Sequence, residues 1–207
     1  MGTRNLTCVV KDNKYQIAQY GQWDGYPEGQ GLTALRFLRV KENIQNLRKR
    51  LKNVRFWDRV GRDKKFLDSY YKNCAEWSSE PDNRTAEQKR WFNLFVSRDI
   101  GAEILSNICS SDDKDIILRN EIDFAKDSLM CEFCYVIDLD KNTFEIFQGF
   151  NTSPMNKRER FYTQLKNEGG YFPVRLLKKY SLNKLPTEKR FLKEMTKLLG
   201  DEDSESN

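Results

Sequence analysis

Residues 134–148 read CYVIDLDKNTFEIFQ. Two β-rich runs, Cys134–Asp140 and Thr143–Gln148, flank Lys141-Asn142, a pair suited to a tight turn, so the stretch predicts a β-hairpin. The chain opens the same way. Asn5–Val10 (NLTCVV) and Tyr15–Tyr20 (YQIAQY) flank the turn-forming Lys11-Asp12-Asn13-Lys14. Hairpin, helices, hairpin, helix is not the alternation of a doubly wound fold. The expected class is α+β, with antiparallel sheet or sheets from the two hairpins packed against several helices.

Between the hairpins the pattern turns helical. Thr33 sits near a helix start, and Leu35, Leu38, Ile44, Leu47 and Leu51 recur at near-helical intervals with a break around Val40. Residues 54–127 read mainly as helix. Phe56, Trp57, Val60, Phe66, Leu67 and Tyr70 form one apolar set, and Trp91, Phe92, Leu94, Phe95, Ile100, Ile104 and Ile108 another. Ser78–Thr85 is a polar loop, and Thr85 with Gln88 has the form of a capping box. Tyr171–Leu177 suits a strand or a short helix. Pro186-Thr187 opens a last helix, which Gly200 stops. The expectation is one domain over residues 1–200 and a disordered acidic tail over 201–207.

The chain has 207 residues, 32% of them charged and 38% hydrophobic, as in folded proteins that are soluble in water. No apolar run is long enough to span a bilayer and no signal segment follows Met1, so the expectation is a cytoplasmic protein without a membrane partner. The absence of histidine removes imidazole-based catalytic pairs and metal sites. Five cysteines do not make a disulfide scaffold. Cys131 and Cys134 form a CxxC that runs into a strand rather than a helix, so they read as buried small hydrophobes. No cofactor and no metal is expected.

Two regions carry chemistry. Gly21–Gly31 (GQWDGYPEGQG) packs four glycines and a proline into eleven residues, a composition that predicts a shaped loop with no regular element. Its Trp23, Tyr26, Asp24 and Glu28 suit a polar or cationic ligand better than a phosphate, and equally suit a structural loop in which Asp24 caps backbone amides and Trp23 packs down. The second region is Arg36–Lys65, twelve basic residues against three acidic ones. Arg48, Lys49, Arg50, Lys52 and Arg55 within it make nucleic acid or another polyanion the alternative partner. The plainer account is a helix with inward leucines and solvated charges.

The start itself offers a nucleophile. A hydroxyl freed at a chain terminus can use its own α-amine as base and needs no histidine. Thr3, a strand, a turn, a second strand and Asp24 follow the order of N-terminal-nucleophile hydrolases such as the proteasome type, to which Thr3–Asp24 has a short topological likeness. That chemistry requires loss of both Met1 and Gly2.

Met1-Gly2-Thr3-Arg4 followed by Gln22-Trp23-Asp24-Gly25-Tyr26-Pro27-Glu28-Gly29 resembles a family of small proteins of fungi, bacteria and bacteriophages. Its members open MGTR and carry a [QH]-[WF]-D-G-Y-P-x-G loop before a helix. Tyr135–Asp138 also looks like that family's later strand. The resemblance implies that Thr3, Arg4, Trp23, Asp24, Gly25 and Tyr26 cluster, and assigns no activity. The expected function is binding, with hydrolysis as its extension, of a small polar ligand of the nucleotide kind. Thr3 and Asp24 are the catalytic candidates, and Arg4, Gln22, Trp23, Gly25, Tyr26 and Glu28 the ligand contacts. The strand-loop order places Arg4 in ion-pair reach of Asp24. A structural or host-interaction protein is the third reading.

Overall fold

A computed structural model describes residues 2–56 and 99–204, with 68, 72, 85, 86, 88 and 89 between them. Strands β1 (Asn5–Lys11) and β2 (Lys14–Gly21) form the first hairpin. Asp12 and Asn13 turn it with φ of 56° and 55°, a left-handed pair that matches strand twist. Helices α1 (Leu32–Arg39) and α2 (Lys41–Arg50) follow, separated by extended backbone at Val40, where the sequence places the break. The remaining elements are strand β3 (Val54–Phe56), helix α3 (Ile104–Ser110), strands β4 (Ile116–Leu118), β5 (Phe133–Asp138), β6 (Thr143–Gln148) and β7 (Arg175–Ser181), and helix α4 (Glu188–Ser204).

The fold is α+β. A five-stranded, mostly antiparallel sheet runs in the order β2-β1-β5-β6-β7. Both hairpins lie within it, and their inner strands β1 and β5 pair in parallel, Leu6 opposite Cys134 and Val10 opposite Asp138. The loops lock the same joint: the Asp140 carboxylate accepts from the backbone N–H groups of Asp12 (3.0 Å) and Asn13 (2.8 Å). Strand β5 ends at Asp138, two residues earlier than the sequence suggests, because Leu139–Asn142 makes the turn.

Every residue of β5 is buried, so both faces of the sheet are covered. On one face Phe133, Tyr135 and Phe144 stack in sequence and end against Phe191 of α4. Leu35, Leu38, Ile104 and Ile108 are buried in the same continuous core. On the other face Tyr15 and Phe147 pack against Phe161, from the segment between β6 and β7.

Three expectations need correction. Residues 54–127 are not wholly helical, since β3 and β4 form a small parallel sheet with Val54 opposite Ile116 and Phe56 opposite Leu118. Three-residue strands are too short for alternation to declare them. The glycine-rich loop holds a regular element after all. Pro27–Gly31 is a π-type turn leading into α1, with Gly31 N–H bonded to the Tyr26 carbonyl at 3.3 Å. Helix α4 continues through Gly200 to Ser204, because Gly200 does not take the left-handed backbone that ends helices. The capping box does form: Thr85 Oγ1 accepts from Gln88 N (3.2 Å) and Gln88 Oε1 from Thr85 N (2.8 Å). The apolar residues expected at 57–70 and 91–95, the Ser78–Arg84 loop, Cys74 and the cations Arg59, Arg62, Lys64 and Lys65 lie outside the described residues.

Candidate functional site

Arg4 immediately precedes β1 and Glu132 immediately precedes β5, so the parallel joint brings their side chains together at one end of the sheet. Glu132 Oε1 accepts from Arg4 N at 3.1 Å and lies 3.7 Å from Arg4 Nε. Glu132, not Asp24, is therefore the partner of Arg4. Asp24 is exposed, with φ of 54°, and its main chain carries the structural contacts. Its carbonyl accepts from Gln30 N at 2.8 Å, and the neighbouring Gly25 N donates to the Thr3 carbonyl at 2.9 Å. A β-carbon at Gly25 would lie 2.6 Å from that carbonyl oxygen, so glycine is what lets the loop touch the chain start.

The rest of the loop closes around this contact. The Tyr135 hydroxyl donates to the Gly25 carbonyl at 2.7 Å. Asn5 Nδ2 donates to the Gly21 and Trp23 carbonyls, and the Trp23 ring lies against Gly2. Gln22 accepts from the Tyr20 hydroxyl, while Glu28 is exposed on the π-type turn. Thr3 is buried, and its link to Asp24 runs through the main chain of Gly25.

A cavity of about 340 Å³ opens here, lined by Gly2, Thr3, Arg4, Tyr26, Leu129, Met130, Glu132 and Phe150. Three of these, Thr3, Arg4 and Tyr26, are sequence candidates. Trp23, Asp24 and Gly25 stand beside it, and Gln22 and Glu28 do not line it. Sequence reading missed Glu132, Met130 and Phe150. Phe150 is 52% exposed and holds φ of 55°, a backbone that bulky side chains avoid. Three hydrogen bonds fix that conformation: Phe150 N to the Ser128 carbonyl, Asn151 N to Ser128 Oγ, and Asn151 Nδ2 to the Pro173 carbonyl. Nothing in Gly149-Phe150-Asn151 as a sequence marks this.

Arg4 is incompletely satisfied. Its Nε is buried without a hydrogen-bond acceptor, and Nη1 points at the Met130 thioether, a weak acceptor for a guanidinium. The cysteines of the CxxC are buried next to this end of the sheet. Burial pushes both thiols well above their usual range, which leaves them uncharged and unreactive.

Among the described residues of the basic block, three of the five polyanion candidates are bonded within the fold. Arg48 Nη2 donates to the Leu139 carbonyl at 2.7 Å, and Arg50 to the carbonyls of Asp113 (2.7 Å) and Ile108 (3.4 Å). Arg55 pairs with Asp115 through Nε at 2.7 Å. Lys49 and Lys52 are exposed. The expected row of solvated charges is thus corrected at Arg48, Arg50 and Arg55, which tie α2 and β3 to α3, the segment after it and the hairpin loop.

Among the described residues no helix is long and apolar enough to cross a membrane. Compared with known proteins, the chain matches no family model, no curated protein and no solved structure.

Proposed function

We propose that the protein binds a small, flat, polar ligand of the nucleobase or nucleoside kind in the cavity between the MGTR start and Phe150. The carrying observation is Phe150 itself. The hydrogen bonds of Phe150 N and Asn151 hold the backbone, but the ring they present at the cavity rim is left half exposed, and a costly backbone conformation at such a rim points to a binding position. Tyr26, 53% exposed, offers a second ring on the same cavity, and together the two give a planar ligand faces to stack on. Arg4 supplies donors that want a better acceptor than a thioether, and Glu132 supplies an acceptor, so a heterocycle bearing a carbonyl and an N–H meets both.

The polyanion alternative draws less support, since three of its five sequence candidates are arginines already bonded within the fold. Calorimetric titration of the full chain with adenosine, guanosine, cytidine and uridine tests the proposal. Binding of at least one is expected, weakened about tenfold or more by Phe150→Ala and by Arg4→Gln, since a base–aromatic stack is worth about 1–3 kcal/mol. Failure of all four to bind at about 1 mM, or binding that both substitutions leave intact, refutes it.

A further inference from the structure

A larger cavity, about 510 Å³, lies at the opposite end of the sheet. Its wall takes residues from all five strands of that sheet: Val10 of β1, Tyr15 of β2, Asp138 of β5, Glu145 and Phe147 of β6, and Lys179 of β7. Side chains at Asn156–Arg160, beyond β6, close one side. On the cavity wall sits a charge network removed from solvent. Arg160, with its side chain 13% exposed, donates through Nη2 to Asp138 Oδ2 at 2.5 Å and through Nε to Glu145 Oε2 at 2.7 Å. Asp138 Oδ1 also accepts from the backbone N–H groups of Asp140 and Lys141, and Glu145 Oε1 from Thr143 Oγ1.

The charges do not cancel. Asp138 and Glu145 share Arg160, and Glu159 accepts from Asn156 N at 2.6 Å but keeps its charge, so four lining cations face three carboxylates. Lys141, Arg158 and Lys179 also line the cavity, are exposed, and are held in no ion pair among the described residues. The rim therefore offers positive charge to an incoming group, which selects an anion. The network beneath it asks for something else. Engaged carboxylates keep lone pairs, and Arg160 stands between them, so an ammonium group would meet its repulsion whereas a neutral hydroxyl would not. Asn13 and Asn156 add amides that both donate and accept, as hydroxyls do. Val10, Phe147 and Leu176 supply apolar wall for C–H faces.

We infer that this cavity is a second binding site, for a small phosphorylated sugar, with hydroxyls on the Asp138–Arg160–Glu145 network and phosphate on Lys141, Arg158 and Lys179. Perturbed titration at the network agrees with such a role. Burial and the two carboxylates act oppositely on Arg160, and the carboxylates prevail, raising it; burial raises Tyr15. The site rests on none of the residues of the Arg4–Phe150 cavity.

Calorimetry of the full chain tests it with ribose 5-phosphate, glucose 6-phosphate, ribose and inorganic phosphate as probes. At least one sugar phosphate is expected to bind about tenfold or more tightly than ribose and inorganic phosphate alone, because both halves of the site are then used. Lys179→Gln, a change at an exposed residue, is expected to weaken that binding about tenfold, and Phe150→Ala to leave it unchanged. Three results would overturn the inference. They are no sugar-phosphate binding at about 5 mM, affinity equal to that of inorganic phosphate, and affinity that Lys179→Gln leaves intact.

Discussion

The Tyr135 hydroxyl reaches out of the middle of β5 and donates to the carbonyl oxygen of Gly25 over 2.7 Å, with the tyrosine fully buried. This bond ties the glycine-rich loop to the strand that also carries the joint between the two hairpins. Removing the hydroxyl leaves a buried carbonyl oxygen without that donor, a loss worth about 1–3 kcal/mol. Tyr135→Phe should therefore lower the unfolding free energy by that amount, read as a lower urea midpoint with an unchanged slope. A midpoint equal to the parent's would mean the loop is held elsewhere.

Glycine at 25 and glycine at 200 should respond in opposite directions. A β-carbon at Gly25 meets the Thr3 carbonyl at 2.6 Å and Asn5 Cβ at 3.0 Å, so Gly25→Ala forces main chain apart and should cost about 1–3 kcal/mol. Gly200 lies inside α4 with nothing within 4 Å of its β-carbon position. Gly200→Ala should stabilise by about 0.5–1 kcal/mol through helix propensity. Thermal melts of the two variants check both signs, and destabilisation by Gly200→Ala would contradict the continuous helix.

What the sequence made legible was local. The hairpin turns follow from Asp12-Asn13 and Lys141-Asn142, the break at Val40 from a shift in periodicity, and the capping box from Thr85 and Gln88 alone. The parallel joint of β1 with β5 leaves no such trace, because Leu6 and Cys134 meet only in the folded chain. The same distance hid the partner of Arg4: Glu132 is 128 residues away, whereas Asp24 is near in sequence and was the natural guess. Part of the candidate site was readable, since Thr3, Arg4 and Tyr26 do share a cavity. The second cavity does have a signal in the sequence. Asp138 closes the apolar run of β5 and Glu145 stands between Phe144 and Ile146 in β6, and buried acids on a strand demand a cation.

Arginine and lysine of the basic block should separate in a stability assay. Arg48→Gln removes a charged donor from the carbonyl of buried Leu139 and should cost about 1–2 kcal/mol. Lys49→Gln, at an exposed position one residue on, should change stability by no more than about 0.5 kcal/mol. Chemical denaturation of the two single variants decides the matter. Equal, negligible effects would return the whole block to the solvated face that the sequence suggests.

The Asp138–Arg160 pair predicts how stability depends on acid. Burial by itself would raise the Asp138 carboxyl, but the Arg160 hydrogen bond and the Lys141 backbone N–H outweigh it, and the group titrates below its ordinary range. An aspartate lowered in the folded state holds its proton more weakly there than in the unfolded chain, whose value is about 3.9. Its contribution is therefore complete above about pH 5 and is lost as pH falls through the folded value. Asp138→Asn keeps the shape but takes from Arg160 one of its two carboxylates, and should cost about 3 kcal/mol at neutral pH, as for a buried pair deprived of one partner. The same variant should show a shallower loss of stability between about pH 5 and 3 than the parent, so the two curves converge in acid. Unfolding free energies measured across that range by denaturant titration give the comparison. Parallel curves would show that Asp138 is not the titrating group, and a neutral-pH cost near zero would show that Arg160 is satisfied without it.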